Sequence, residues 1–147
     1  MIERRRGATP VRCALPTSPA PILLLPGRAE SAREAREFVR EYMRHHAPDA
    51  SQDYVENVVL VACELVTNSI RYGTEPGDQI RLVLDADDAC TRVEVHDPVR
   101  RHPRVRPESQ ERDRGRGLII LDALCPERWG VIDIAFGKVV FGEVTAS

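Results

Sequence analysis

The sequence predicts an α+β fold, a two-layer α/β sandwich in which helices lie on one face of a mixed, mostly antiparallel sheet. Three observations support this prediction. Two helical segments come early in the chain, two pairs of alternating strands follow, and a third apolar helix separates the pairs. The length of 147 residues is that of a single domain, and no internal repeat is present in the sequence.

The first elements are a loose arm, an edge strand and a helix. Residues 1–20 mix arginines with prolines, and we expect a flexible N-terminal segment before a folded domain at 21–147. Residues 22–25, closed by Pro26-Gly27, predict a short edge strand, because proline is confined to the ends and edges of sheets. Residues 28–46 carry an apolar stripe at helical spacing and predict the first helix.

The second helix is the longest predicted element. Ser51 offers an N-cap, and Gly73 ends the helix. At 3.6 residues per turn one face, centred on Ala62, is apolar. The other members of this face are Val55, Val58, Val59, Leu65, Val66, Ser69 and Ile70.

The second half of the chain predicts two hairpins around a long loop and a helix. Four segments alternate apolar and polar residues, in two pairs: 80–84 with 91–96, and 129–134 with 138–144. Between the pairs lies a polar stretch, residues 98–114, which is longer than compact domains usually keep unless the loop is functional or disordered. Residues 118–124 predict an apolar helix entered through glycines.

The composition limits the function. The chain has 147 residues and a net charge of −2, with 42% hydrophobic and 30% charged residues, which is ordinary for a soluble globular protein. The balanced charge gives no general attraction to nucleic acid. The longest apolar run, residues 22–25, is far short of the roughly 20 residues of a membrane span. No signal-peptide pattern follows Met1, so we expect a cytoplasmic protein.

Three pieces of the sequence have residue types suited to binding a nucleotide. Glu64, Asn68 and Arg71 line up at i, i+4 and i+7 on the polar side of the second helix, Asp97 ends a strand, and Gly115-Arg116-Gly117-Leu118 precedes a helix. A helix N-terminus entered through glycines presents backbone N–H groups to phosphate. Magnesium takes oxygen ligands that it shares with substrate phosphates, which suits an amide oxygen. Taken alone, each piece is also compatible with a solvated helix face or an ordinary turn.

At these residues the sequence resembles a known family. ELVTNSIRYG (64–73) looks like the N-box, VEVHD (93–97) like the start of the first glycine box, and GRGLIILDAL (115–124) like the second glycine box of the GHKL, or histidine kinase-like, ATP-binding fold. The resemblance runs in order over about residues 28–144. It is closest to the short, single-domain branch of anti-sigma factor serine/threonine kinases.

The resemblance implies a Bergerat-type ATP-binding fold, with ATP and Mg²⁺ as cofactors, and gives each piece a role. It makes Asn68 the magnesium ligand and Glu64 the catalytic base that orients or deprotonates the nucleophile. Asp97 becomes the contact to the exocyclic amine of adenine. The turn Gly115-Arg116-Gly117-Leu118 and Arg71 are placed among the nucleotide-binding residues.

The sequence departs from the family after Asp97. The first glycine box usually continues Asp-x-Gly, whereas this chain reads Asp97-Pro98-Val99. A β-branched residue therefore replaces the glycine that allows close backbone approach to the adenine. Residues 98–114, which the resemblance makes the lid over ATP, are rich in arginine rather than in glycine. Such arginines pair with phosphates or keep an exposed loop soluble.

The function implied by the resemblance is that of an ATP-binding regulator. It would bind a sigma factor and an anti-anti-sigma partner of the STAS type, phosphorylate a serine on the latter, and control transcription without contacting nucleic acid or membrane. A homodimer is also implied. The alternative, suggested by Val99 and the arginine-rich lid, is a protein-binding module of the same fold with weak or no ATP binding. A free-standing ATPase is the third hypothesis, although nothing resembles the additional domains that such enzymes use.

Overall fold

The computed structural model describes residues 21–72, 74–86, 89–98, 119–135 and 137–146. Its elements are β1 (Ile22–Pro26), α1 (Ser31–His46), α2 (Gln52–Tyr72), β2 (Gln79–Ala86), β3 (Cys90–Asp97), β4 (Trp129–Ile134) and β5 (Gly137–Thr145). Residues 119–124 are helical as well. The predicted α+β class is therefore confirmed. The predicted N-terminal segment 1–20, lid residues 99–114 and the glycine turn 115–118 lie outside the described residues.

The five described strands form one sheet in the order β1-β2-β3-β5-β4. Every pairing among them is antiparallel, where the sequence predicted a mixed, mostly antiparallel sheet. Both predicted hairpins form, β2 with β3 and β4 with β5. The closing hairpin docks through β5 rather than β4, so the last described strand lies inside the sheet.

Helix α1 begins three residues later than predicted because residues 27–30 form a turn. The backbone N–H of Arg28 donates to the carbonyl of Pro26, and the Ser31 hydroxyl donates to the same carbonyl at 2.5 Å. The helix start is thereby tied to the end of β1. The apolar stripe is buried as expected, at Ala35, Val39, Tyr42 and Met43.

Helix α2 follows its prediction closely. The Ser51 hydroxyl accepts a hydrogen bond from the backbone N–H of Tyr54 at 3.1 Å, which is the N-cap expected from the sequence. The predicted apolar face is buried at Val58, Val59, Ala62, Leu65, Val66 and Ser69, and Tyr54 and Val61 extend it. Burial of this face gives the helix most of its stability, since propensity alone contributes little.

Both helices lie on the same face of the sheet. On that face Leu82, Val95 and Val140 form one cross-strand row, and all three are fully buried. Two phenols anchor the helices there. The Tyr54 hydroxyl lies 2.6 Å from the Thr91 hydroxyl, and the backbone N–H of Ala86 donates to the Tyr42 hydroxyl at 3.1 Å. None of the described helices is both long and apolar enough to span a membrane.

The strand residues that alternate with this row point away from both helices and form what we call the outer face of the sheet. One row of the outer face crosses all five strands, through Leu24, Arg81, His96, Val139 and Ile132. The row is apolar at Leu24, Val139 and Ile132, and it is cationic or polar at Arg81 and His96.

A buried charge network occupies another part of the outer face. The guanidinium of Arg92 donates to Glu94 at 2.6 Å and to Glu143 at 3.0 Å, and it stacks 4.3 Å over the ring of Phe141. Nε2 of His96 lies 2.9 Å from Oε1 of Glu94. His96 and Arg92 together lower the pKa of the Glu94 carboxyl to about 2, the hydrogen bond from His96 being the largest cause.

Candidate functional site

The polar stripe of α2 lies beside the end of β3. Glu64 and Asn68 are half-buried and Arg71 is exposed, and the i, i+4, i+7 spacing places all three along one side of the helix. The residue after Asn68, Ser69, is buried and donates a hydrogen bond from its hydroxyl to Oδ2 of Asp97 at 3.0 Å. The structure therefore packs the turn of α2 that carries Asn68 against the end of β3 that carries Asp97.

The Asp97 carboxylate is fully buried and has donors on both oxygens. Oδ1 accepts from the ammonium of Lys138 at 3.0 Å, and Oδ2 accepts from Ser69. A buried carboxylate is costly unless it is paired, and the lysine supplies the opposite charge. An ionised carboxylate has about four lone-pair sites, so it can accept more than two hydrogen bonds.

Lys138 is a site residue that the sequence analysis missed. It is the only lysine in the chain, and it lies opposite Asp97 in the register of β3 and β5. The signal was available in the alternation of the predicted strand 138–144, which places Lys138 on the same face as Val140 and Val144. A lysine at a core-facing position calls for an anionic partner.

Gly137 is the second missed residue. A Cβ built on Gly137 would lie 1.9 Å from the carbonyl oxygen of Asp97 and 3.0 Å from Cα of Pro98. No side chain fits that space, so β5 can approach the end of β3 this closely only with glycine. Gly137 lies just before the predicted strand 138–144, where a glycine is expected for the hairpin turn, and this position gives no local sign of its contact with another strand.

The donor set on α2 suits magnesium held together with phosphates. The amide of Asn68 provides an oxygen ligand, which hard cations prefer. Among the described residues there is no cluster of three or more His, Cys, Asp or Glu side chains that could hold a metal. An all-protein cage is thus absent from this part of the chain. A site of few protein ligands, completed by phosphate oxygens and water, fits the residues present.

A pocket of about 700 Å³ lies at the C-terminal end of α2, between Ile70, Thr74 and the turn at Arg28. None of the predicted site residues lines it. Ile70 projects from the side of the helix away from Asn68, so this pocket is separate from the polar stripe. Gly115, Arg116, Gly117 and Leu118, which were predicted to bind the nucleotide, lie outside the described residues, and their assignment stays a prediction.

Comparison with protein families gives a match. The family model of the histidine kinase-like ATPase domain matches residues 25–127, more than two thirds of the chain. The matched range contains the α2 stripe, Asp97 and the glycine turn, and it ends before β4 and β5. Lys138 and Gly137 therefore lie beyond it. A search of the curated proteins found no match.

Proposed function

The chain belongs to the histidine kinase-like ATPase domain family, and from this premise we propose that it is a regulator of the anti-sigma factor type. Membership of the family implies ATP binding. The finer proposal is that ATP and Mg²⁺ support transfer of a phosphoryl group to a serine of an anti-anti-sigma partner. A sigma factor is the second partner, and its binding links the chain to transcription.

One observation carries the proposal: the hydrogen bond between Ser69 and Asp97. It fixes the turn of α2 that carries Asn68 against the strand end that carries the carboxylate. In this proposal Asn68 binds the metal-bound phosphates and Asp97 accepts a hydrogen bond from adenine. The contact thereby holds the two residues on elements that pack together. Catalytic and binding groups need such a rigid support to act together.

The roles of the residues are those that the family resemblance implies, and they suit the chemistry of the side chains. The amide oxygen of Asn68 would hold Mg²⁺, which would supply positive charge to neutralise the phosphates. The carboxylate of Glu64, one helical turn away, orients the serine hydroxyl and accepts its proton. Asp97 accepts a hydrogen bond from the exocyclic amine of adenine. Arg71, one turn further along α2, pairs with phosphate.

The rival is a protein-binding module of the same fold with weak or no ATP binding. The observation that favours it is that both oxygens of Asp97 already have protein donors, Lys138 and Ser69. Val99, in place of the usual glycine, points the same way. In that case the chain regulates by occupying a surface of its partner, without phosphoryl transfer.

Thermal denaturation with Mg-ATP distinguishes the ATP-binding regulator from the protein-binding module. A ligand that binds only the folded state stabilises it by about 2.7 kcal/mol at one hundred times its Kd. We expect Mg-ATP to raise the Tm of the parent chain and to leave that of Asn68→Ala unchanged. Asn57→Ala is the matched control, because Asn57 is half-buried on the same side of α2 three turns earlier.

The results that would contradict the proposal are specific. A parent chain whose Tm does not move at millimolar Mg-ATP favours the binding module. An Asn68→Ala variant that responds like the parent shows that the metal ligand is assigned wrongly. Transfer of label from ATP to a serine of a candidate anti-anti-sigma protein then decides for the kinase.

A further inference from the structure

A second pocket opens on the outer face of the sheet, at the end where β3 reaches Asp97. Its volume is about 590 Å³, within the range of ligand sites. Its walls include Leu24 of β1, Arg81 of β2, His96 of β3 and Ile134 of β4. No residue of α2 lines it, although Asp97 at the end of β3 does.

The pocket presents an available cation. Arg81 is exposed, and in the part of the chain that the structure describes no carboxylate forms an ion pair with it. Arg92, on the neighbouring strand, contrasts with it, since Glu94 and Glu143 hold its guanidinium. A guanidinium is weakly hydrated and binds carboxylates bidentately, so Arg81 is suited to an anionic group that enters the pocket.

Exposed aliphatic side chains lie on both sides of this cation. Leu24 is 57% exposed on β1, and Ile132 and Ile134 are 39% and 38% exposed on β4. Elsewhere the alternation of the strands buries aliphatic residues on the helix side of the sheet. Exposed apolar groups that frame a charged centre are typical of an interaction site.

The spacing of these groups sets the size of the occupant. Leu24, Arg81, His96, Val139 and Ile132 form one row across the sheet. Four spacings of about 4.8 Å separate its two ends, which is roughly 19 Å. A compact metabolite bound at the arginine leaves one aliphatic end uncovered. An extended peptide covers the same distance with about six residues.

We propose that the outer face binds an extended segment of a protein partner, about six residues long. The segment carries an aliphatic residue at each end and acidic residues between them. Its carboxylates pair with Arg81, and its ends pack on Leu24 and on Ile132 with Ile134. No residue of the α2 stripe takes part, and the test is made without nucleotide.

The test is an NMR titration of the full ¹⁵N-labelled chain without nucleotide. The probe is the peptide acetyl-LSEESL-amide, and its matched control is acetyl-LSQQSL-amide, which has the same length and no charge. We expect saturable shifts of the backbone amides of Leu24, Arg81 and Ile134 with the acidic peptide. The neutral peptide should bind at least five times more weakly.

Two variants make the result specific. Arg81→Met keeps the aliphatic stem and should weaken binding of the acidic peptide at least fivefold. Leu24→Ser should weaken binding of both peptides. The control is Arg33→Met, because Arg33 is 79% exposed on α1, in the other layer of the fold. These side chains are exposed, so all three variants should fold, and their ¹⁵N spectra check this directly.

Several outcomes would overturn the inference. One is the absence of shifts at these amides up to several millimolar acidic peptide. Equal binding of the neutral peptide, or unchanged binding by Arg81→Met, would remove the role of charge. Saturable binding of decanoate at the same amides, with no binding of the peptide, would show a site for a small carboxylate instead.

Discussion

The ammonium of Lys138 lies 3.0 Å from Oδ1 of Asp97, across the pairing of β3 with β5, and the aspartate side chain is fully buried. The two charges come from segments about forty residues apart in the sequence, and each accounts for the burial of the other. Asp97 is also the residue to which the family resemblance assigns base recognition. Its environment therefore determines both the stability of the sheet end and the chemistry available there.

Removing the lysine charge should destabilise the fold. In Lys138→Met a buried carboxylate loses its counter-charge, while the hydrogen bond from Ser69 stays in place. We expect the free energy of unfolding to fall by about 3 kcal/mol, measured by urea titration with circular dichroism. The double variant Lys138→Met with Asp97→Asn should recover part of this loss. A Lys138→Met variant as stable as the parent would show that the pair is not formed.

Lys138 also allows a chemical test, because it is the only lysine in the sequence. Lys138 is 8% exposed. An amine-reactive ester should therefore acylate its side-chain amine slowly in the folded chain and rapidly in urea. Peptide mapping by mass spectrometry distinguishes Lys138 from the terminal amine. Equal rates of acylation in the folded and unfolded chain would contradict the buried pair.

Substitution of Gly137 should be more harmful than substitution of Gly142 on the same strand. A Cβ at Gly137 meets the Asp97 carbonyl at 1.9 Å, whereas one at Gly142 meets the Cys125 sulfur at 3.1 Å. Moving the backbone of Asp97 would break strand hydrogen bonds, whereas the Cys125 side chain can shift at a smaller cost in free energy. We expect Gly137→Ala to cost more than about 2 kcal/mol and Gly142→Ala to cost less, by thermal and urea unfolding. The reverse order would show that β5 does not approach β3 as described.

Glu64→Gln should separate binding from transfer. The substitution preserves the size of the side chain and one acceptor oxygen but removes the base. We therefore expect Mg-ATP to bind as in the parent chain, with the rate of phosphoryl transfer at least 100-fold lower. Glu34→Gln, on the exposed side of α1, is the control for loss of a surface charge. Transfer at the parental rate would exclude Glu64 as the base.

The stability of the fold should decrease in acid through Glu94. Its pKa is lowered from an ordinary value of 4.5 to about 2, so it binds a proton more readily in the unfolded chain. Its contribution is complete above pH 4.5 and is lost as the pH falls from 4.5 towards 2. Glu94→Gln should cost about 2 kcal/mol at pH 7 and less at pH 3. Urea titrations at both pH values measure this, and a constant difference would contradict it.

The sequence predicted the elements well because each has a strong local signal. The apolar face of α2, the Ser51 cap and both hairpins depend on residues close to one another in the chain. The order of the strands in the sheet does not depend on neighbouring residues in this way. Nothing local distinguishes docking of the closing hairpin through β5 from docking through β4, and the choice of β5 is what pairs Lys138 with Asp97.

The candidate site was predicted in part for the same reason. The line of Glu64 and Asn68 follows from helical spacing alone, and the structure adds the contact of Ser69 with Asp97. Ser69 was correctly predicted on the apolar face, but its hydrogen bond depends on how the helix lies on the sheet. The outer-face row could not be predicted from the sequence, because it takes one residue from each of five strands and depends on the register of every pairing.

The position of β5 inside the sheet has a consequence for how the protein is made. During synthesis β3 leaves the ribosome well before β5, and for that interval the growing chain holds Asp97 without its lysine. The carboxylate must stay hydrated, and the edge of β3 must stay open, until Gly137–Thr145 arrives. Because this closing step pairs distant segments, we expect it to limit the rate of folding. Nascent chains stalled before β5 should therefore be susceptible to proteases and dependent on chaperones.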